Sequence, residues 1–392
     1  MEQIDITLIG GGIIGLTTAY YLAQAHPHKS ILLLEKNARL SEEQSTHNSG
    51  VLHSGWAYTP NSLKAKLCVQ GNQLLQQFAK DHHIPYKATG KLIVATTKSE
   101  LETLVFYHQR AIQNHLKNID LLLPPKITAL EQNVTGIAAL YFPSAGIIDA
   151  ATYCKKLEQL VKKQNTIILS QHLVTSITPT ENSFILNLNT PTEQVQFETN
   201  ILINTAGLNA TSIGKMINLN FPFNISPTRG EYMKFNKTTR SDLNMSGLNV
   251  YPVPQPIPGM YDEHHQQKYT LGNHLTPTFD MQPDGSISLG NTVLVGPLTT
   301  SYNPTIPHHL QPKKSPQDFI QTLHNYFPSL QETDLQYDQI GIQAKLNGHS
   351  DFVIEQDHLH KSAFHILADS PGLTASLAIA QYFVEKIFLK NK

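Results

Sequence analysis

The spacing of apolar and polar positions changes along the chain in a way that marks out its elements. Residues 4–9, IDITLI, form a short apolar run that stops at Gly10, as a buried strand does before a turn. GGGIIGLTTAYYLAQAH follows, with Ile14, Thr18, Tyr21, Leu22 and Ala25 at helical spacing, and SILLLEK at 30–36 is a second apolar run bounded by charge. Strand, glycine turn, helix and strand together have the length of one βαβ crossover. Farther on, Leu63, Leu67, Gly71, Leu74, Leu75 and Phe78 give a helical stripe over 62–81. GKLIVAT at 90–96 predicts a strand, 99–118 a helix with a polar outer face, and FPSAGIIDA at 142–150 a turn into a helix beginning near Ala151. Strands are predicted at 165–170, 183–189, 194–198 and 198–207.

From about 222 to 305 the pattern changes. Pro252, Pro254, Pro256 and Pro258 cluster, which predicts short antiparallel strands joined by long loops that shape a pocket. SAFHILAD at 362–369 returns to a strand, and SPGLTASLAIAQYFVEKIF to a helix. The fold class expected is α/β: a Rossmann-like nucleotide-binding domain with an inserted α+β domain built on an antiparallel sheet. The nucleotide domain is expected from 1–85, 145–220 and 335–392, and the substrate domain from 86–144 and 221–334.

Composition narrows the class without deciding it. At 392 residues the chain exceeds a single core, and 40% apolar with 15% charged residues fits a soluble globular protein. A formal net charge of −1 supplies no field that would recruit nucleic acid. Cys68 and Cys154 have neither metal-site spacing nor a disulfide framework, and read as buried inert thiols in a reducing setting. The histidine pairs at 82–83, 264–265 and 308–309 lack accompanying ligands, so no metal is expected. MEQIDITLIGGG has no basic leader region, and no stretch reaches the roughly 18 apolar residues that span a bilayer. A cytoplasmic location is expected, compatible with peripheral contact on the inner membrane face.

The chemistry begins at Gly10, Gly12 and Gly15, a G-x-G-x-x-G run placed between strand and helix. The first glycine permits the tight turn, the second lets a pyrophosphate approach the backbone, and the third lets helix and strand pack closely. Ile13 and Ile14 open the helix whose N–H groups would meet the phosphates. Glu35, 20 residues after Gly15 and followed by Lys36, is placed to accept hydrogen bonds from a ribose diol. Those residues suit NAD as well as FAD. STHNSGVLHSG at 45–55, with Asn48, Ser49, Gly50 and Val51, lets backbone approach a large flat ring. NTAG (204–207), with Ala206 and Gly207, marks a further strand end. In SPGLTAS (370–376), Pro371, Gly372, Leu373 and Thr374 start a helix that could aim N–H groups at a flavin carbonyl. Non-covalent FAD is the expected cofactor.

These segments resemble the D-amino-acid-oxidase-type superfamily of FAD enzymes, and within it the L-2-hydroxyglutarate oxidases and dehydrogenases. The matching stretches are HNSGVLHSGWAYTPNSLKAKLCVQGN (47–72), GKLIVAT, FPSAGIIDA, INTAGLNA (203–210), RGEYM (229–233), YPVP (251–254), GNHLTPTFD (272–280), GIQAKL (341–346) and SPGLTASLAIA (370–380). The resemblance implies oxidation of a 2-hydroxy acid, L-2-hydroxyglutarate to 2-oxoglutarate, by hydride transfer to flavin, with oxygen or a quinone as electron acceptor. It implies His53 as the base and His274 as a second histidine at the substrate, with Val174 joining the cofactor contacts. Arg229, Tyr251, Gln343 and Lys345 become candidates for holding carboxylates. The family commonly has an arginine where this chain has Gln343, and glutamine offers only neutral donors in place of a charged fork. Glycerol-3-phosphate oxidases or dehydrogenases, amino-acid oxidases, and a flavin-binding protein without catalysis are the alternatives.

Overall fold

In the computed structural model the described residues are 3–164, 166–261, 267–270, 272–282, 286–306 and 310–389. Chain segments alternate between two units. One comprises Met1–Thr46, Ala150–Pro227 and Gln343–Lys392, the other His47–Asp149 and Thr228–Ile342. The grouping is discontinuous, as the apolar pattern suggests, but residues 47–85 fall in the second unit rather than with the glycine turn. The reason is local pairing. Val51–Leu52 and Tyr86–Lys87 both flank Gly146–Ile148 in a small antiparallel sheet of the second unit.

In the first unit, Gln3–Ile9 is central and parallel to both Ile31–Leu34 and Gln194–Asn204. Ile167–Leu169 extends the sheet beyond Ile31–Leu34, and Ala363–Leu367 pairs in parallel with Gln194–Asn204. Parallel strands buried on both faces need continuous apolar runs, and all four residues of Ile31–Leu34 are buried. Helix Ile13–Ala25 packs against Ala150–Lys163 and Gly372–Tyr382. The segments expected as strands at 194–198 and 198–207 are one strand, Gln194–Asn204, whose first half pairs antiparallel with Phe184–Asn189.

The second unit is built on an eight-stranded sheet that includes Lys91–Ala95, Asn249–Pro252, Leu275–Met281 and Ile287–Ser301. Lys91–Ala95 runs parallel to Asn249–Pro252, whereas Leu275–Met281 is antiparallel to both Asn249–Pro252 and Ile287–Ser301. The expectation of short strands fails here. Ile225–Asn236 has 12 residues and Ile287–Ser301 has 15, with bulges between Glu231 and Met233 and between Pro277 and Phe279 that break the alternation. Pro258 heads no assignable side-chain environment, since its side chain lies outside the described residues. Leu92 and Val94 face one apolar cluster with Val250, Leu275 and Phe319, whereas Ile93 and Ala95 face another with Trp56, Tyr107 and Tyr251. The helix expected over 99–118 runs from Lys98 to Gln113, started by a Thr97–Glu100 capping box and ended before His115 and Asn118, both at positive φ.

Candidate active site

The glycine turn of the first unit is closed by contacts that a side chain would break. Gly10 has φ +113°, and a Cβ there would stand 2.5 Å from the Thr205 carbonyl oxygen. At Gly15 a Cβ would fall 1.9 Å from the Gly10 carbonyl oxygen. Gly12 precedes the helix with no side-chain cap, and the first turn has no acidic residue, so the positive helix end is not neutralised by its own sequence. Ser45 Oγ accepts from the Ile13 N–H at 2.9 Å, and Ile14 is half-buried beside it. Glu35 accepts from Gly11 N–H through Oε2 at 2.9 Å and from Asn37 N–H through Oε1 at 2.8 Å. Burial pushes its carboxyl up, while these two donors pull it down. Each oxygen keeps a second lone pair, as recognition of a ribose diol requires.

Other expected cofactor residues of this unit take different places. Lys36 is ion-paired with Glu43. Val174 is a buried strand residue opposite Leu188. Ala206 N–H donates to Asn204 Oδ1 at 3.2 Å, and Gly207 has φ +52°. Pro371 precedes helix Gly372–Tyr382 and its carbonyl accepts from Ala375 N–H at 3.0 Å. Leu373 is half-buried and Thr374 fully buried. A Cβ at Gly372 would meet nothing nearer than Ala368 Cβ at 3.9 Å, so the protein's own packing does not demand glycine there. The cradle at Gly10–Gly15 and the acid at Glu35 fit the ADP portion of a dinucleotide.

The 47–53 segment lies in the second unit and is tied in place by hydrogen bonds. Asn48 Oδ1 accepts from Gly50 N–H at 2.8 Å, and the Asn48 carbonyl accepts from Gln339 Nε2 at 3.1 Å. Gly50 has φ +63°, with its Cβ position blocked by the Ile148 carbonyl at 2.5 Å. Ser49 is hydrogen-bonded to Tyr232, and Val51 starts the strand that leads to His53. The His53 carbonyl accepts from Asn72 Nδ2 at 2.9 Å and from the Cys68 thiol at 3.6 Å. Asn72 also donates to the Ser144 carbonyl at 2.9 Å, so helix Leu63–Asp81 fixes His53 through its backbone.

Around His53 the second unit gathers basic groups. His274 stacks on Tyr251 with ring centroids 3.8 Å apart and planes 11° from parallel. Lys91 Nζ lies 3.8 Å from the centroid of the same Tyr251 ring. Lys91 is 1% exposed, His274 5% and Tyr251 1%. Desolvation, then the nearby Lys91 charge, then His274 hold the His53 imidazole well below its ordinary pKa. Desolvation and Lys91 likewise lower His274 to about 3, against a small upward pull from the Gly272 carbonyl. Burial lowers Lys91 itself to about 7. Both imidazoles are therefore neutral at neutral pH, the form that can act as a base. The structure brings together His53, His274 and Tyr251 from the residues expected, and adds Lys91, which sequence reasoning treated as a strand residue. Its signal was a lysine at the head of an otherwise apolar buried strand, GKLIVA.

The other carboxylate candidates do not join this cluster as free charges. Arg229 is 2% exposed, pairs through Nη1 with Glu231 Oε1 at 3.2 Å and donates to the Pro312 carbonyl at 2.6 Å. Two residues apart on one strand, Arg229 and Glu231 share a face and form an ion pair, while Arg229 Nε and Nη2 are buried without a hydrogen-bond partner among the described residues. Lys345 is exposed, and Gln343 is half-buried in the same strand. Cys68 and Cys154 are both buried free thiols. Among the described residues no helix is long and apolar enough to cross a membrane.

Comparison with known proteins then decides the family. The model for FAD-dependent oxidoreductases matches residues 5–386. The chain belongs to that family. This FAD-dependent oxidoreductase is similar to L-2-hydroxyglutarate dehydrogenase of Indibacter alkaliphilus, 30% identical over 96% of this chain and 97% of the relative. It is also similar to mitochondrial L-2-hydroxyglutarate dehydrogenase of Caenorhabditis briggsae, 30% identical over 100% of this chain and 95% of the relative. Among solved structures, dithionite-reduced L-α-glycerophosphate oxidase from Mycoplasma pneumoniae with FAD bound superposes with a TM-score of 0.80 at 26% identity, covering 98% of this chain and 94% of that one. Glycine oxidase from Geobacillus kaustophilus, at 16% identity and a TM-score of 0.76, shares the fold. The enzyme uses FAD and acts on a small-molecule substrate.

Proposed function

We propose that this oxidoreductase converts an L-2-hydroxy acid to its 2-oxo acid, with L-2-hydroxyglutarate as the first substrate to test. The observation that carries the reading is the buried cluster of His53, His274 and Lys91, in which both imidazoles are held neutral. An alcohol, unlike an amine, gives up its proton only to a positioned base, and a desolvated neutral imidazole is suited to take it. His53 takes the hydroxyl proton on its ring. His274, kept in orientation by its stack on Tyr251 and by donation from Nδ1–H to the Gly272 carbonyl, offers Nε2 as an acceptor to a proton-bearing group of the substrate. When bound, FAD supplies the two-electron acceptor for the hydrogen at Cα. Oxygen or a quinone takes the electrons onward. The names of the relatives similar across the whole chain support this substrate class.

A second reading follows from the likeness to the glycerophosphate oxidase: an alcohol bearing a phosphate in place of a carboxylate. Anaerobic addition of each compound to the holoenzyme separates the two. Bleaching of the flavin band by L-2-hydroxyglutarate supports the first reading, and bleaching by glycerol 3-phosphate alone replaces it with the second. An enzyme bleached by neither, but by an amino acid, contradicts both.

A further inference from the structure

A lysine buried to 1% exposure in a sheet interior normally carries an anionic partner, because removing an ammonium from water is costly. Lys91 has none among the described residues: its charge meets only the face of Tyr251. The thiol beside it, Cys68, is pushed up in pKa by burial and stays protonated, so it supplies no counter-charge. The other groups that feel Lys91 are His53 and His274, which are bases as well. Two imidazoles thus stand near Lys91, and among the described residues no carboxylate is beside its ammonium.

The strand geometry makes this placement specific. Lys91 pairs in register with Asn249 on one side and Phe142 on the other, and alternation puts it on the side of Ile93 and Tyr251. The neighbours on that strand, Leu92 and Val94, point into the opposite apolar cluster. Lys91 and His274 each approach the Tyr251 ring to 3.8 Å, too near to share one face, so the ring is held between them. Arg229, in contrast, has a carboxylate partner in Glu231, and Lys345 is exposed.

We propose that Lys91 is the cation that binds a carboxylate of the substrate. This rests on the function proposed above, since it names the group that such a substrate brings to complete an unbalanced site. An ammonium on a flexible stem gives a point charge, suited to one carboxylate oxygen at a time.

The test uses FAD-loaded enzyme and a non-oxidisable dicarboxylate, glutarate, whose binding is read from perturbation of the flavin spectrum. In K91M the flavin content stays at the wild-type level and the Kd for glutarate rises on the order of 100-fold, as for loss of one partner of a buried charge pair. The Kd for L-2-hydroxyglutarate in anaerobic reduction rises in parallel. K91Q, which keeps a polar end, serves if the methionine variant does not retain FAD, and the same loss is expected. An unchanged glutarate Kd in either FAD-loaded variant overturns the proposal. So does a slower limiting reduction rate with Kd intact, which would put Lys91 to work on the flavin rather than the substrate. If no 2-hydroxy acid bleaches the wild type but glutarate binding is still lost in the variants, the substrate assignment fails and the carboxylate site stands.

Discussion

Replacing Gly15 with alanine sets two known effects against each other. In a helix the change should stabilise by about 1 kcal/mol through propensity alone. In this helix the new methyl would stand 1.9 Å from the Gly10 carbonyl oxygen and 3.0 Å from Thr205 Oγ1, where ordinary contact begins at 3.4 Å. The helix start must therefore retreat by about 1.5 Å from backbone that has nowhere to go. Gly10 is held at φ +113°, and its carbonyl accepts from Thr205 Oγ1 at 3.0 Å, as does the Ile9 carbonyl. Overpacking of that kind costs about 1–3 kcal/mol, so sterics outweigh propensity. The cofactor suffers more than the fold, because a shift of this size removes hydrogen bonds at the pyrophosphate. G15A should melt several degrees lower and bind FAD at least about tenfold more weakly. Flavin-to-protein absorbance after gel filtration, and titration of FAD into the apoprotein, measure it. G372A is the control: its methyl would meet only Ala368 Cβ at 3.9 Å, so the apoprotein should lose no stability. Full flavin content and an unchanged Tm in G15A would refute the argument.

Two further outcomes are expected. Q343R adds a charged fork to a half-buried strand position and should lower the Kd for glutarate without altering flavin content, measured by the same spectral titration; a higher Kd would mean that Gln343 already suits another ligand. Asp357 is raised by burial but held below the usual carboxyl range by hydrogen bonds from His365, His360, Leu359 and Asn218. A carboxyl with a depressed folded pKa stabilises above its unfolded value of about 4 and loses that contribution as pH falls. D357N should therefore melt below the wild type at neutral pH, by about 2 kcal/mol, with the gap closing on acidification toward pH 2. A gap that widens in acid contradicts the sign.

The opening crossover was legible because everything that defines it is local. Gly10, Gly12, Gly15 and Glu35 lie within one unit of chain, and the apolar period switches from strand to helix at the glycines. The strand Gln194–Asn204 was split in reading because its environment changes along its length. Its first residues are half-exposed beside Phe184–Asn189, and its last three are buried beside Gln3–Ile9, so alternation gives way to a continuous apolar run. The long strands of the second unit were hidden by bulges that shift the period midway. His53 and His274, expected from their motifs, lie near each other and near Lys91, which was not expected. Lysine is ordinarily a solvent residue, and what buries this one is pairing with a strand that lies about 160 residues away. The Arg229–Glu231 pair was readable in principle, since alternate positions of a strand share a face.

His53 as the base is the claim on which the chemistry turns, and its removal is the most direct measurement. Anaerobic reduction of the flavin by L-2-hydroxyglutarate, followed by stopped flow in H53A at saturating substrate, should slow by about 10² or more relative to the wild type, with flavin content unchanged. A limiting rate in H53A equal to that of the wild type, in protein that remains yellow, would remove His53 from the mechanism.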